Sequence, residues 1–273
     1  MKRLWLCADD YGMAPGVNRG IRELLAGGRI NATSVMVVSP NFSMAQADAL
    51  VSACAGRNAA IGLHFTLTAP FRPLATSRHA RDGTFLDLRR TFAAGLLRRL
   101  DAAVLQAEAE TQLETFQKAF GRPPDFVDGH QHVHLLPQVA DVLLAVTKAQ
   151  APRAVVRQCG QATSLRRRLG DPKGLFLDLL SRRLSAVCAA AGLSTNPAFA
   201  GTYSFHADAD YPALFPSFLD NMPDAGLVMC HPGFVDAQLR GLDDLTDLRE
   251  RELLFFAGEE FPRLLARAGF ALA

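Results

Sequence analysis

Runs of apolar residues alternate with amphipathic segments along the first quarter of the chain. Continuous apolar or β-branched runs predict three buried strands, at residues 3–8, 33–38 and 59–63. Between the first two, Pro15 precedes apolar residues at helical spacing, which predicts a helix ending at the glycine pair 27–28. Residues 43–55 predict a second helix. This strand–helix–strand order is typical of parallel strands joined by right-handed crossovers.

The same rhythm returns in the rest of the chain after two long excursions. The later elements are predicted strands at 125–128, 154–156, 226–229 and 270–272, and predicted helices at 105–120, 139–149, 212–219 and 245–268. The excursions are residues 69–100, which are rich in proline and arginine, and residues 160–210, which are helical and basic over much of their length. A long excursion from a strand end is more often functional than accidental. We therefore predict a single domain, 1–273, with insertions at about 69–100 and 160–210 near the active-site face.

About seven strands alternating with helices predict an α/β fold built on parallel strands. Two architectures fit this pattern: a distorted or incomplete (β/α) barrel and an open doubly wound sheet. The polar residues favour the barrel, because they follow the first, third, fourth and a late strand. That distribution suits the C-terminal face of a barrel better than a single crevice.

Composition excludes several classes of protein. With 49% hydrophobic and 21% charged residues the chain is an ordinary globular protein, and a net charge of +2 gives no reason to expect a nucleic-acid partner. The five cysteines are odd in number and form no C-x-x-C pair, which favours a reducing compartment over a disulfide framework. The apolar runs are too short for a membrane span or a signal peptide. We expect a cytoplasmic protein with no integral membrane segment.

Four short stretches carry most of the metal-binding and acid–base side chains. They directly follow predicted strands, at residues 8–12, 62–68, 128–134 and 230–234. Because the ends of parallel strands converge, we expect these stretches to form one cluster. Two adjacent carboxylates, Asp9 and Asp10, cannot point the same way at the end of an extended strand. One is therefore suited to bind a metal and the other to handle a proton. The alternative, an Asp pair capping the next helix, is weakened by Pro15, which starts that helix several residues later.

Histidines complete the candidate site. Three of the seven lie within five residues, and His130, His132 and His134 would share one side if the chain stays extended. A carboxylate and two imidazoles leave coordination positions open, as in a catalytic metal site. A bound divalent metal acidifies water and polarises a carbonyl or phosphoryl oxygen. His231 is the best candidate for the acid that protonates a leaving group, although a buried, hydrogen-bonded histidine is the alternative. These residues predict a divalent-metal hydrolase.

The motifs at these positions resemble those of the YdjC-like (ChbG/HpnK) carbohydrate deacetylase family. The matching residues are Ala8-Asp9-Asp10-Tyr11-Gly12, Pro15-Gly16-Val17-Asn18, Thr33-Ser34, Gly62-Leu63-His64, Asp128-Gly129-His130, His132-Val133-His134 and His231-Pro232-Gly233. The resemblance implies a distorted barrel related to polysaccharide deacetylases. It also implies metal-dependent removal of an N-acetyl group from an amino sugar, on an oligosaccharide or a glycolipid. Departures from the family pattern at Tyr11, Gly129 and Gln131 leave every implied metal ligand in place.

Residue roles follow from the same resemblance. It implies Asp10, His64 and His130 as metal ligands, Asp9 as the general base and His231 as the acid. Substrate contacts are expected from His132, His134, Arg157 and Tyr11. The family suggests one Mg²⁺ ion, whereas two imidazole ligands suit Zn²⁺ or another transition metal at least as well. A homodimer is an expectation from the family alone.

Two other functions stay open on the residues alone. One is a metal-dependent phosphoesterase or amidase acting on another substrate. The other is a metal- or glycan-binding protein without turnover. The chain contains no P-loop, no G-x-G-x-x-G after a strand and no G-x-S-x-G elbow, so nucleotide and serine-hydrolase chemistry are disfavoured.

Overall fold

The protein is described by a computed structural model covering residues 1–75, 83–161, 172–206 and 208–273. Residues 76–82 of the first predicted insertion and 162–171 and 207 of the second lie outside the described residues.

All strands of the described chain join one parallel sheet. They are β1 (Lys2–Tyr11), β2 (Ala32–Val35), β3 (Ala60–Phe65), β4 (Phe126–Gly129), β5 (Val155–Val156), β6 (Phe199–Ala200), β7 (Gly226–Cys230) and β8 (Phe270–Leu272). The order is β5-β4-β3-β2-β1-β7-β6, and β8 pairs with the first residues of β1. Two isolated parallel bridges, Val156 to Thr195 and Gln161 to Phe199, link the two ends of this path. The predicted α/β fold, a distorted barrel of about seven parallel strands, is confirmed.

Helices connect successive strands, as the periodicity predicts. They are α1 (Pro15–Ala26), α2 (Met44–Ala53), α3 (Leu88–Leu96), α4 (Ala102–Phe120), α5 (Pro137–Gln150), α6 (Pro172–Ala191), α7 (Tyr211–Phe218), α8 (Ala237–Leu242), α9 (Asp247–Ala257) and α10 (Glu260–Arg267). The prediction of one helix over 245–268 is wrong. Gly258 adopts an extended conformation, φ −70° and ψ 154°, and this separates α9 from α10.

An aromatic cluster fixes the last helices against the barrel. The rings of Phe215, Phe256 and Phe261 lie 5.0–5.6 Å apart, centroid to centroid, mostly edge to face. All three side chains are fully buried, and burial stabilises each by roughly 1.5–3 kcal/mol. The cluster therefore fixes the position of α9, whose first turns reach the site described below.

Within the described ranges, none of the helices combines the length and the apolar character needed to cross a bilayer.

Candidate active site

A cavity of about 700 Å³ opens at the carboxyl ends of the strands. Its wall includes six of the nine residues that the sequence singles out: Asp9, Asp10, His64, His130, His132 and His231. They come from β1, β3, the segment after β4, and the end of β7. The convergence predicted from strand ends is thus present in the structure.

A bulge at the end of β1 separates the two adjacent carboxylates. Asp10 adopts a left-handed conformation, φ 72°, and the pairing of β1 with β2 shifts register between Ala8 and Tyr11. A non-glycine residue in this region costs of order 1–3 kcal/mol, so the surrounding contacts must enforce it. As a result Asp9 faces Ser34, whereas Asp10 faces the two histidines across the cavity.

Asp10, His64 and His130 form a set of three converging donor atoms. Asp10 Oδ1 lies 3.0 Å from His130 Nδ1 and 3.3 Å from His64 Nε2, and the ligand atoms all lie within 4.8 Å of one another. On its other side, His64 Nδ1 is 2.6 Å from Asp128 Oδ1 and 2.9 Å from Ser34 Oγ. A carboxylate behind a metal-binding imidazole is a common supporting contact in metal sites. This donor set fits a divalent metal ion.

Charge on the neighbouring groups controls the protonation of these ligands. Burial alone would raise the pKa of Asp10, but Arg249 and His130 hold it well below its usual range. Burial would lower the pKa of His64, yet Asp128 and Asp9 raise it to about 10. The metal-free imidazole therefore carries a proton at neutral pH, and that proton must leave before Nε2 can bind a metal.

Asp9 is held by a fully buried arginine. Arg157 donates from Nη1 to Asp9 Oδ2 at 2.6 Å and from Nη2 to Asp9 Oδ1 at 2.7 Å, and it pairs with Asp128 Oδ2 at 2.6 Å. Despite its burial, Asp9 has a pKa below its usual range because of this guanidinium. Cys7, Asp9 and Asp128 also lie close enough together to hold a metal. Arg157 already supplies a cation there, so Asp10 with its two histidines is the better candidate set.

His231 lies at the end of β7, beside the acidic pair. Its backbone N–H donates to Glu252 Oε2 at 2.5 Å, and the ring of Phe205 meets its imidazole edge to face at 5.6 Å. Within the described residues its Nδ1 atom is buried without a hydrogen-bond partner. Burial lowers the pKa of His231, and Arg249 acts in the same direction. The second oxygen of Glu252 accepts a hydrogen bond from Tyr203 at 2.7 Å, and burial raises the pKa of Glu252 to about 7.

The three clustered histidines separate, contrary to the expectation for an extended chain. Residues His130–Leu135 form a short 3-10 segment in which Gln131 and His132 are left-handed, with φ of 53° and 61°. His130 therefore joins Asp10, and His132 lies on the cavity wall with Nδ1 3.5 Å from Cys159 Sγ. His134 turns inward, and its Nε2 is 2.9 Å from the carbonyl oxygen of Arg157.

Three expected substrate contacts are not on the cavity wall. Arg157 and His134 lie behind it, and burial together with His132 and Arg157 keeps the pKa of His134 well below its usual range. Tyr11 points towards α1 and α2, where its hydroxyl donates to the Gln46 carbonyl at 2.7 Å and accepts from Arg22. Direct contact of these three residues with substrate stays a prediction, and the structure gives each of them a supporting position.

Sequence reasoning did not assign roles to Asp128, Arg249 or Glu252. Asp128 stands inside a recognised motif, but only the structure shows that it backs His64. Arg249 and Glu252 resemble the exposed charges of an amphipathic helix, yet both are fully buried. A signal was present: they share the helical face of the buried residues Leu253 and Phe256, at spacings of three and four. A charged residue at an apolar position of a helix indicates that its side chain has a buried partner.

Both predicted insertions contribute to the cavity. Leu88, Arg89 and Phe92 come from the 69–100 segment. Phe176, Leu177, Thr202 and Phe205 come from the 160–210 segment. The described parts of these segments therefore shape the space above the metal ligands.

Fold and site together define a barrel of parallel strands with a candidate set of metal ligands, one carboxylate and two imidazoles, at its C-terminal face. The model of the YdjC-like protein family matches residues 3–267, so the chain belongs to the YdjC-like family. It is 29% identical over 251 residues to a chitooligosaccharide deacetylase of Yersinia pestis (strain Pestoides F), covering 87% of this chain and 84% of that protein. A chitooligosaccharide deacetylase of Yersinia pseudotuberculosis (serotype O:1b, strain IP 31758) gives the same values.

Solved structures agree on the fold. A protein of Enterococcus faecalis V583 with the provisional name cellobiose-phosphate cleavage protein superimposes with a TM-score of 0.76 at 22% identity, covering 100% of this chain and 97% of its own. The lactam utilization protein of Thermus thermophilus gives a TM-score of 0.51 at 17% identity, covering 100% and 99%. At these identities the likeness supports the fold alone.

Proposed function

We propose that this chain is a metal-dependent carbohydrate deacetylase that hydrolyses the N-acetyl group of an amino sugar. The observation that carries the proposal is the convergence of one carboxylate and two imidazoles on a cavity wall, with a second carboxylate and a fourth histidine beside them. Membership of the YdjC-like family and relatives named chitooligosaccharide deacetylase support the reaction class. A cavity of about 700 Å³ is within the range of small-molecule sites.

Asp10, His64 and His130 are the residues that would hold the metal. When bound, a divalent ion supplies Lewis acidity, which polarises a carbonyl oxygen and makes water more acidic. Asp128 orients the His64 imidazole, and Arg249 pairs with Oδ2 of Asp10, the oxygen that does not face the histidines. Two imidazole donors favour Zn²⁺ or another transition metal, whereas the family resemblance suggests Mg²⁺, so a panel of ions is needed.

Asp9 is the proton acceptor in this proposal. Arg157 keeps its carboxylate ionised, which is the form that can accept a proton from water. The same arginine contacts both oxygens of Asp9 in a bidentate pair, which fixes the orientation of the carboxylate. The different roles of the two carboxylates follow from the bulge at Asp10, which directs these adjacent side chains to different partners.

His231 is the proposed proton donor to the departing amine nitrogen. It lies on the cavity wall near Asp9 and Asp10, and both carboxylates favour its charged form. The backbone contact with Glu252 and the ring of Phe205 fix its position. Protonation of the amine is required because an unprotonated amide nitrogen is a poor leaving group.

Location and assembly form a further part of the proposal. All five cysteines are free, which fits a reducing compartment and hence the cytoplasm. A homodimer rests on the family resemblance, and size-exclusion chromatography with light scattering would test it.

Acetate release tests the proposed reaction. Purified protein is incubated with N-acetylated mono- and oligosaccharides and with an N-acetylated glycolipid, in the presence of Mg²⁺, Mn²⁺, Co²⁺ or Zn²⁺ and with chelator. We expect metal-dependent acetate release that Asp9→Asn abolishes while metal binding persists. Phosphate release from sugar phosphates without acetate release would favour a phosphoesterase. Sugar binding without turnover under every condition would favour a binding protein.

A further inference from the structure

A second buried arginine stands directly behind the metal ligands. Arg249 is 1% exposed and lies in the first turn of α9. Its Nη2 atom donates to Asp10 Oδ2 at 2.7 Å and to Asp243 Oδ2 at 2.5 Å, and its Nε donates to the carbonyl oxygen of Leu245 at 2.9 Å. The guanidinium thus joins a proposed metal ligand on β1 to a residue 233 positions later that lines the cavity.

This contact divides the two oxygens of Asp10. Oδ2 faces Arg249, whereas Oδ1 faces His130 and His64. A carboxylate with one oxygen engaged in this way offers the metal its other oxygen only. Arg249 therefore selects the ligand atom and also the rotamer of Asp10.

Hydrogen bonds from the segment that follows β7 hold the backbone of α9 in place around Arg249. Its carbonyl oxygen accepts a hydrogen bond from the Gly233 N–H at 3.1 Å, close to His231 in the chain. One turn later, Glu252 accepts from the His231 N–H and from Tyr203. The start of α9 is thus tied to the ends of β1 and β7 at once.

We propose that Arg249, held in place by Asp243, is a positioning residue that fixes the metal-facing oxygen of Asp10 and thereby sets the metal affinity of the site. The proposal rests on the metal site of the proposed function and extends it to residues outside the ligand set. Asp243 lies on the cavity wall with 23% of its side chain exposed, so one guanidinium connects a solvent-accessible residue of the wall to the proposed metal site.

The Arg249→Gln variant separates positioning from simple electrostatics by the sign of its effect. Removing a positive charge beside a cation site should tighten metal binding if only charge matters. If Arg249 positions Asp10, metal binding should instead weaken by about 10–100-fold, as for other supporting contacts of metal ligands. Arg249→Lys keeps the charge but lacks the planar guanidinium whose Nε–H donates to the Leu245 carbonyl, so it should recover only part of the affinity.

Matched variants control for charge and for folding. Arg251→Gln removes an exposed arginine two positions along the same helix and should leave metal affinity unchanged. Asp243→Asn and Asp244→Asn remove the same charge from the same cavity loop, but only Asp243 contacts Arg249. We expect Asp243→Asn to weaken metal binding several-fold more than Asp244→Asn. Asp243 is partly exposed, so its variant keeps the test available if Arg249→Gln fails to fold.

The readouts are titration calorimetry with Mg²⁺, Mn²⁺ and Co²⁺, and the visible absorption spectrum of the Co²⁺-loaded protein, which reports ligand geometry. Circular dichroism verifies folding. Weaker binding and an altered Co²⁺ spectrum in Arg249→Gln support the proposal. Unchanged or tighter binding overturns it, and equal effects of Asp243→Asn and Asp244→Asn overturn the part played by Asp243. A wild-type chain that binds none of these ions overturns the metal site itself, which is a distinguishable result.

Discussion

Replacing Arg157 with glutamine should destabilise the protein far more than replacing Arg3, although each arginine pairs with a carboxylate at 2.6 Å. The two pairs differ in exposure. Arg157 and Asp9 have side chains that are 1% and 3% exposed, whereas those of Arg3 and Asp224 are 65% and 51% exposed. At equal distance, the two arginines differ in burial and in the number of carboxylates that they contact.

The size of the destabilisation follows from the buried carboxylates that lose their partner when Arg157 is replaced. It neutralises two buried carboxylates, Asp9 and Asp128, and breaking a buried pair by removing one partner costs about 3–5 kcal/mol. For a chain of this size that corresponds to a decrease in melting temperature of roughly 6–20 °C. The exposed Arg3 pair is solvated and screened, so Arg3→Gln should have little measurable effect.

Urea unfolding followed by circular dichroism measures both variants. The double variant Arg157→Gln with Asp9→Asn provides an internal check, because removing the stranded carboxylate should recover part of the lost stability. Equal destabilisation by Arg157→Gln and Arg3→Gln would refute the reasoning. The reasoning would also be refuted if Asp9→Asn changed the free energy of unfolding by the same amount in the wild type and in the Arg157→Gln variant.

The Arg157→Gln variant should also shift the pH dependence of the deacetylation rate. In the wild type Arg157 depresses the pKa of Asp9, so its contribution to stability is present above about pH 4 and is lost as pH falls through the folded-state pKa. Without Arg157, burial raises the pKa of Asp9. The acidic limb of the deacetylation rate should therefore shift to higher pH, because the carboxylate must be ionised to accept a proton.

Three further changes have predictable effects. Asp128→Asn should weaken metal binding by about 10–100-fold, measured by calorimetry, because no carboxylate then orients His64; unchanged affinity would contradict this. Glu252 has a pKa raised from 4.5 to about 7, so the wild type should lose about 3 kcal/mol of stability as pH rises through that window. Between pH 5 and pH 7.5 the Glu252→Gln variant should lose less stability than the wild type, measured by thermal unfolding at both pH values. An equal loss in the two proteins would contradict the raised pKa of Glu252. Gly62→Ala should destabilise by about 1–3 kcal/mol in urea unfolding, since its Cβ would lie 2.4 Å from the Phe126 ring, and a neutral result would show that the ring can move.

Hydrophobic periodicity predicted the barrel because buried parallel strands and amphipathic helices leave strong local patterns. The failures occurred where the pattern is weak or continues through a break. Strand β6 spans two residues, Phe199 and Ala200, which is too short for any periodicity. The apolar stripe of the final helix continues past Gly258, so only backbone geometry shows that the helix ends there.

The candidate site was predictable to the extent that it depends on strand ends. Asp10 and His64 lie in the last two residues of β1 and β3, His130 directly follows β4, and parallel strands bring their ends together. The left-handed turns at Gln131 and His132 were not predictable, because non-glycine residues adopt them only when tertiary contacts compensate for the strain. Arg249 was missed for a similar reason, since its partner Asp10 lies 239 residues away.

Charge balance explains why the site should attract a divalent cation. Leaving aside Glu252, whose pKa burial raises to about 7, three fully buried carboxylates meet two buried guanidiniums in the described part of the site. The carboxylates are those of Asp9, Asp10 and Asp128, and the guanidiniums are those of Arg157 and Arg249. The excess negative charge must be compensated, because an unpaired buried charge is costly. In the metal-free chain a proton on His64 compensates it, which accounts for an imidazole pKa of about 10 in a fully buried position. The proton and the metal ion therefore compete for the same negative site, and apparent metal affinity in titration calorimetry should rise with pH through the neutral range.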